Sequence, residues 1–272
     1  MWISAQFGQA IRRLGLLPNG RLVRGVADRT LSGRVTDPAT GAARWLRVLA
    51  LPTDKARGLL WDGPLTAPTD PGIRRPDLLT TERWTTDGHT VRAELWELVD
   101  EPPCSPHEAL TPEQARSLSL TGSWWAALET SLERLADHAT DRVPRTQEQI
   151  TAAMRHAYGP DIDTRVDQWI TQHGDLRWTN LTARTPYLLD WEFWGLAPTG
   201  TDAATLYCTS LLAPDVAATV YQRYRHILDT PDGRLAQLCV CIQLRRHPDV
   251  GALDQPLRRL AHQLARQAGE VQ

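Results

Sequence analysis

Along the first hundred residues, short runs of alternating apolar and polar positions are separated by turn residues. Three are clear: RLVRGVA at 21 to 27, ARWLRVLA at 43 to 50 and HTVRAELWELV at 89 to 99. The period of two predicts an antiparallel sheet. Between the first two runs, Asp37, Pro38 and Gly41 mark a turn, with Ser32 and Gly33 near an earlier bend, so two successive hairpins fit. Residues 62 to 77 are crowded with Gly and Pro and read as loop, leaving 53 to 61 for a helix before a fourth strand.

The period changes after residue 101. Pro102, Pro103, Ser105 and Pro106 form a stiff connector, and we place a domain boundary there, between 1–101 and 102–272. Thr111, Pro112 and Glu113 are a helix start, and Leu118, Trp125, Leu128, Leu132 and Leu135 then recur at helical spacing, which predicts one long helix. Further helices are expected near 146–157, 161–172, 203–212, 214–228, 232–246 and 254–268. No internal repeat is visible. Strands followed by helices predict an α+β chain of two units, the first built on a sheet and the second mainly helical.

Composition narrows the function only by exclusion. A chain of 272 residues, 42% hydrophobic, can bury a sizeable core, while a net charge of −2 and a pI near 6.4 give no support for a nucleic-acid partner. No apolar run is long enough to span a bilayer and the first residues lack the pattern of a signal peptide, so no membrane partner and a cytoplasmic location are expected. Cys104, Cys208, Cys239 and Cys241 are too few and too irregular for a disulfide framework. Cys239 and Cys241 diverge around a helix and make a poor metal pair. Lys55 is the single lysine, so a phosphate-binding cation must almost always be arginine.

Candidate chemistry is concentrated at residues 173–190, HGDLRWTNLTARTPYLLD. Asp175 follows Gly174, whose permissive backbone lets a ligand approach closely, and it is the candidate base that orients an acceptor hydroxyl. Five residues on, Asn180 offers a neutral oxygen, and Asp190, closing the strand-like run PYLLD, offers an anionic one. Hard oxygens of this kind suit Mg²⁺ held against phosphates. Each residue alone also fits a turn or a helix cap. The fixed intervals between them favour the chemical reading.

The segments HGDLRWTN, LLDWEFWG and GLAPTGTDAATL resemble the aminoglycoside phosphotransferase family, a branch of the protein-kinase-like superfamily. The resemblance is specific over 173–206. It implies a two-lobed protein-kinase-like α+β fold with a small antiparallel sheet lobe and a larger helical lobe. It also implies ATP or another nucleoside triphosphate, Mg²⁺, and transfer to a hydroxyl. Asp202 is then the aspartate that braces the catalytic loop. Arg47 stands on the third strand where such kinases place a phosphate-contacting lysine, and as an arginine it is either a phosphate contact or an exposed strand residue. Its partner acid is expected on the short helix or nearby, from Asp54, Asp62 or Glu82. Ser32 and Gly33 are the phosphate-loop candidates, and Glu97 to Val99 resemble the hinge whose backbone binds the adenine edge. Arg177 is assigned to transition-state charge stabilisation, against a solvent-facing alternative. His173 is expected to be structural, and Trp124, Trp125, Trp178, Trp191 and Trp194 to be core by default.

Over 203–272, eight arginines face six carboxylates, which disfavours a highly cationic acceptor. The leading expectation is an ATP- and Mg²⁺-dependent O-phosphotransferase acting on a small hydroxylated metabolite or antibiotic. Its rivals are a Ser/Thr kinase for a peptide natural-product precursor, and a pseudokinase or binding module without turnover.

Overall fold

The structure, a computed structural model, describes residues 2–25, 28–247 and 250–269. Its architecture is α+β and divides into two compact units, Met1–Thr69 with Arg75–Asp100, and Asp70–Arg74 with Glu101–Gln272.

The first unit is a five-stranded antiparallel sheet of β1 (Leu17–Arg24), β2 (Thr30–Thr36), β3 (Ala43–Pro52), β4 (Leu78–Thr86) and β5 (His89–Glu97), in the order β1-β2-β3-β5-β4. Alternation along the strands separates its two faces. Leu31, Val35, Leu46, Val48, Ala50, Val91, Ala93 and Leu95 share one face and form the core, so truncating one of the larger of them costs ~2–5 kcal/mol. A helix the sequence reading missed, α1 (Trp2–Leu14), covers that face with Ile3, Phe7 and Ala10. The opposite face carries a row set by the pairings Ser32↔Arg47 and Arg47↔Glu94.

Three expectations for this unit are corrected. The first strand is displaced to Leu17–Arg24, and Val26 and Ala27 of the expected run lie outside the described residues. The bend at Ser32 and Gly33 is absent, because both lie within β2; a Cβ on Gly33 would meet Leu22 Cδ2 at 2.6 Å, so glycine there admits the neighbouring strand. The helix is α2 (Leu59–Thr66), later than expected, while residues 53–56 form a turn in which Lys55 and Ala56 both donate to the Pro52 carbonyl. Residues 62–66 are therefore helical rather than loop, despite Pro64.

The second unit holds α3 (Pro112–Ser117), α4 (Gly122–Ala136), α5 (Gln147–Tyr158), β6 (Trp169–Gln172), β7 (Gly195–Pro198), α6 (Thr201–Thr209), α7 (Pro214–Leu228), α8 (Pro231–Arg245) and α9 (Asp254–Gly269). The long helix expected from 111 is broken in two. Leu118 ends α3 in an extended conformation, and Thr121 starts α4 by accepting from the Trp124 N–H. The helix expected at 161–172 does not form either. Asp232 accepts the backbone N–H groups of Asp167 and Gln168 at 2.9 and 2.8 Å, and the next four residues pair with β7 as a strand. Tertiary hydrogen bonding overrides local periodicity there. Among the described residues no helix is long and apolar enough to cross a membrane.

All four cysteines are buried free thiols. Burial pushes the Cys104 thiol up to about 12, which leaves it inert. Trp124, Trp125, Trp178, Trp191 and Trp194 are all buried, with the first three packed on one another, so none of them forms an open cage.

Candidate active site

The segment 173–190 leaves the end of β6 and is fixed at once by a buried carboxylate. Asp202, in the first turn of α6, accepts the N–H of His173 through Oδ2 and that of Gly174 through Oδ1, both at 2.8 Å. The Asp202 N–H in turn donates to Gln172 Oε1 at 2.9 Å, closing the connection to β6. Burial pushes the Asp202 carboxyl upward, opposed by His173 and the two backbone donors. Gly174 has φ 78°, and a Cβ there would lie 2.3 Å from the Phe193 carbonyl oxygen. Only glycine fits that turn.

His173 is fully buried, and its Nε2 donates to the Leu189 carbonyl at 2.9 Å. Burial lowers its proton affinity, so it is a neutral ring that ties residue 173 to the residue before Asp190. The structural reading of His173 fits this bond.

Asp175 is 8% exposed. Its Oδ2 accepts from Asn180 Nδ2 at 3.1 Å, and its Oδ1 lies 2.6 Å from Arg177 Nε. Asn180 Nδ2 also donates to the Asp175 backbone carbonyl at 2.9 Å, so the amide grips both ends of the residue. A 3₁₀ turn at Trp178–Asn180 brings it round, anchored by the buried Trp178 whose indole donates to Ser210 Oγ at 2.8 Å. Burial raises Asp175 to about 7, against the pull of Arg177 and with the added repulsion of Asp190 and Glu108.

Asp190 is exposed and adopts φ 61°, a left-handed conformation uncommon outside glycine. It does not close a strand as expected; only Leu188 bridges, to Leu181. The preceding residue is held twice, by the Leu189 N–H to the Asn180 carbonyl at 2.9 Å and by His173. After Asp190, the buried Arg142 donates to the carbonyls of Glu192 and Trp194 and clamps the run into β7. Bonds of the segment itself thus hold Asn180 on Asp175 and the residue before Asp190 on Asn180 and His173.

Arg177 does not face solvent. It is shared between Asp175 and Glu108, with Nη1 paired to Glu108 Oε2. Sequence reading missed Glu108, and the loop SPHEAL around it carries no signal for this role.

In the first unit the third-strand arginine pairs with an acid that was not among those expected. Arg47 Nη1 lies 3.7 Å from Oε2 of Glu94, which is fully buried on the adjacent strand β5, so this partner stands outside the set Asp54, Asp62 and Glu82. The signal was present in HTVRAELWE, where Arg92, Glu94 and Trp96 fall on one face of a buried strand. Ser32 lies beside Arg47 in the same row. Glu97, exposed at the end of β5, commits its N–H to the Asp77 carbonyl at 2.8 Å, and Val99 follows just beyond the strand, half-buried.

Among the described residues no group of three or more His, Cys, Asp and Glu side chains could hold a metal ion. The oxygen pair of Asn180 and Asp190 still fits Mg²⁺, which takes one or two protein carboxylate or amide oxygens when substrate phosphates complete its shell. Asn180 uses Nδ2 for Asp175, which orients the amide and reserves Oδ1 for such a contact.

No protein-family model and no curated protein sequence matches the chain. Among solved structures it is similar to a spectinomycin phosphotransferase, APH(9)-Ia, in complex with ADP and spectinomycin, at 12% identity and TM-score 0.44 over 97% of both chains. It is also similar to an ethanolamine kinase of Plasmodium vivax, at 11% identity and TM-score 0.47 over 90% of this chain and 81% of that one.

Proposed function

We propose that the chain is an ATP- and Mg²⁺-dependent O-phosphotransferase acting on a hydroxyl of a small metabolite or antibiotic. The observation that carries this reading is the Asn180 amide locked onto Asp175, with the residue before Asp190 bonded to the Asn180 carbonyl. Phosphoryl transfer asks for little covalent chemistry from the protein and much positioning, and a carboxylate held on both oxygens meets that need.

In this reading Asp175 accepts a hydrogen bond from the acceptor hydroxyl and takes its proton as the oxygen attacks the γ-phosphorus, while the bond from that phosphorus to the β–γ bridging oxygen breaks and ADP leaves. A carboxylate offers about four lone-pair sites, so its bonds to Arg177 and Asn180 leave room for the hydroxyl. Asn180 Oδ1 and the Asp190 carboxylate would hold Mg²⁺, which would neutralise phosphate charge when bound. Arg177, kept charged between two carboxylates, stabilises charge on the transferred group. Arg47 contacts the nucleotide phosphates, Ser32 offers its hydroxyl beside it, and backbone groups of Glu97 and Val99 take the adenine edge.

The test is a screen of acceptor hydroxyls with labelled ATP, read by mass spectrometry. Phosphate gain on a small molecule, dependent on Mg²⁺ and lost in Asp175→Asn, is the expected result. Transfer to peptides alone would overturn the acceptor assignment, and absence of ATP binding by calorimetry in the folded protein would overturn the kinase reading.

A further inference from the structure

Glu94 has no exposure at all and yet four donors converge on it. Oε1 accepts from Arg92 Nε at 2.8 Å and lies 2.6 Å from Arg92 Nη2 in an ion pair. Oε2 takes the Trp96 indole N–H at 3.1 Å and faces Arg47 Nη1 at 3.7 Å. Beneath this group the Arg92 guanidinium sits 4.3 Å from the centroid of the Trp61 ring, the buried aromatic of α2. The contacts therefore run in the order Trp61, Arg92, Glu94, Arg47, with Glu94 the most buried and Arg47 the most accessible.

The two arginines play different parts. Arg92 is 2% exposed in its side chain and Arg47 is 16% exposed. Arg92 lies against a ring on one side and a carboxylate on the other, which fixes Glu94 in one rotamer. Burial lowers the proton affinity of Arg92, and the nearby Arg47 lowers it further, while Glu94 and more weakly Asp62 oppose this. Two guanidinium groups close enough to repel are held together by one carboxylate. The looser 3.7 Å contact leaves Arg47 steered by Glu94 without being locked to it.

We infer that Glu94 is the positioning residue for Arg47, an acid supplied from the neighbouring strand that aims this arginine at the nucleotide phosphates, with Arg92 and Trp61 holding Glu94 in place. This rests on the phosphotransferase reading. Cross-strand neighbours in an antiparallel sheet have Cβ atoms only about 5 Å apart, so the distance is set by the sheet register and not by the motion of a helix. The arginine fork can turn one edge to Glu94 and another to phosphate.

The experiment measures Mg²⁺-ATP and adenosine binding by calorimetry in the full chain and in Glu94→Gln, Arg47→Met and their double variant. Positioning predicts about tenfold weaker ATP binding in each single variant and no further loss in the double. Adenosine, which has no phosphates, binds all of them equally. Because Glu94→Gln leaves Arg92 buried without its counter-charge, the pair is also replaced as a unit by Arg92→Met with Glu94→Met, a change buried ion pairs commonly tolerate. That variant folds and shows the same selective loss of ATP affinity.

Equal loss of ATP and adenosine would mean that Glu94 only supports the fold, and unchanged ATP affinity would mean that it does not steer Arg47; either result overturns the inference while the phosphotransferase reading stands. Failure of the unsubstituted protein to bind ATP removes both.

Discussion

Asn180 donates from a single amide nitrogen to the backbone carbonyl of Asp175 at 2.9 Å and to its carboxylate at 3.1 Å. The metal-ligand candidate and the base candidate are thus one mechanical unit. Asn180→Ala should remove a metal oxygen and free the Asp175 side chain together, with kcat falling on the order of 10²-fold, as for a reacting group displaced by about 1 Å. Asn180→Asp keeps a metal oxygen but places a second carboxylate beside Asp175. Steady-state kinetics against Mg²⁺ concentration separates the two, since raised Mg²⁺ should recover part of the activity of the Asp variant and none of the Ala variant.

Asp175 carries a stability cost that depends on pH. Its carboxyl is raised from an ordinary 3.8 to about 7 in the folded protein, chiefly by burial. Below pH about 4 both folded and unfolded chains hold the proton, and the group's contribution to stability is fully present. As pH climbs toward 7 the unfolded chain releases that proton while the folded one keeps it, so this contribution is lost, at ~1.4 kcal/mol for each pH unit between the two midpoints. Asp175→Asn should therefore match the parent protein near pH 4 and exceed it in Tm near pH 8, measured without metal. Parallel profiles would show that Asp175 is not desolvated in solution.

What the sequence made legible, and what it hid, divides along physical lines. The intervals joining Asp175, Asn180 and Asp190 are local and legible as spacing, whereas Asp202 is legible only through the family resemblance, although its bonds to His173 and Gly174 also run within residues 173–202. Arg47 was found as a cation on the third strand, but its partner was sought on a helix, because pairing between strands is a matter of register that no single segment contains. Glu108 meets Arg177 from a loop far back in the chain and left no pattern to read. The strand at Trp169–Gln172 was taken for helix for the same reason: β7 and Asp232, both distant in sequence, decide its conformation.

Asp190 holds φ 61°, where an L residue other than Gly, Asn or Asp is strained. Replacing it separates the backbone demand from the carboxylate. Asp190→Gly and Asp190→Ala lose the same side-chain interactions, so their difference reports the backbone alone, and the Gly variant should be more stable by ~1–2 kcal/mol in chemical denaturation. Both should bind Mg²⁺-ATP more weakly than the parent. Asp190→Asn, which tolerates the conformation but has no charge, should keep the stability and still lose metal affinity. If the Ala variant were as stable as the Gly variant, the left-handed backbone would not be the state in solution.

Arg177 stands between two carboxylates, Asp175 and Glu108, and the three charges behave as a set. With Glu108→Gln one carboxylate is removed and the remaining pair is neutral, so the loss of stability should be small. With Arg177→Met the two carboxylates face each other without a cation. A wholly buried pair broken this way costs ~3–5 kcal/mol, and the 26% exposure of the Glu108 side chain brings the expectation down to ~2–3 kcal/mol. The double variant removes the repulsion that the Arg177 substitution creates. It should therefore be less destabilised than the sum of the single changes, with a coupling of ~1–2 kcal/mol by urea denaturation. Strict additivity would mean that Glu108 and Arg177 do not meet, and Arg177 would then be free to act on phosphate without the restraint of a second acid.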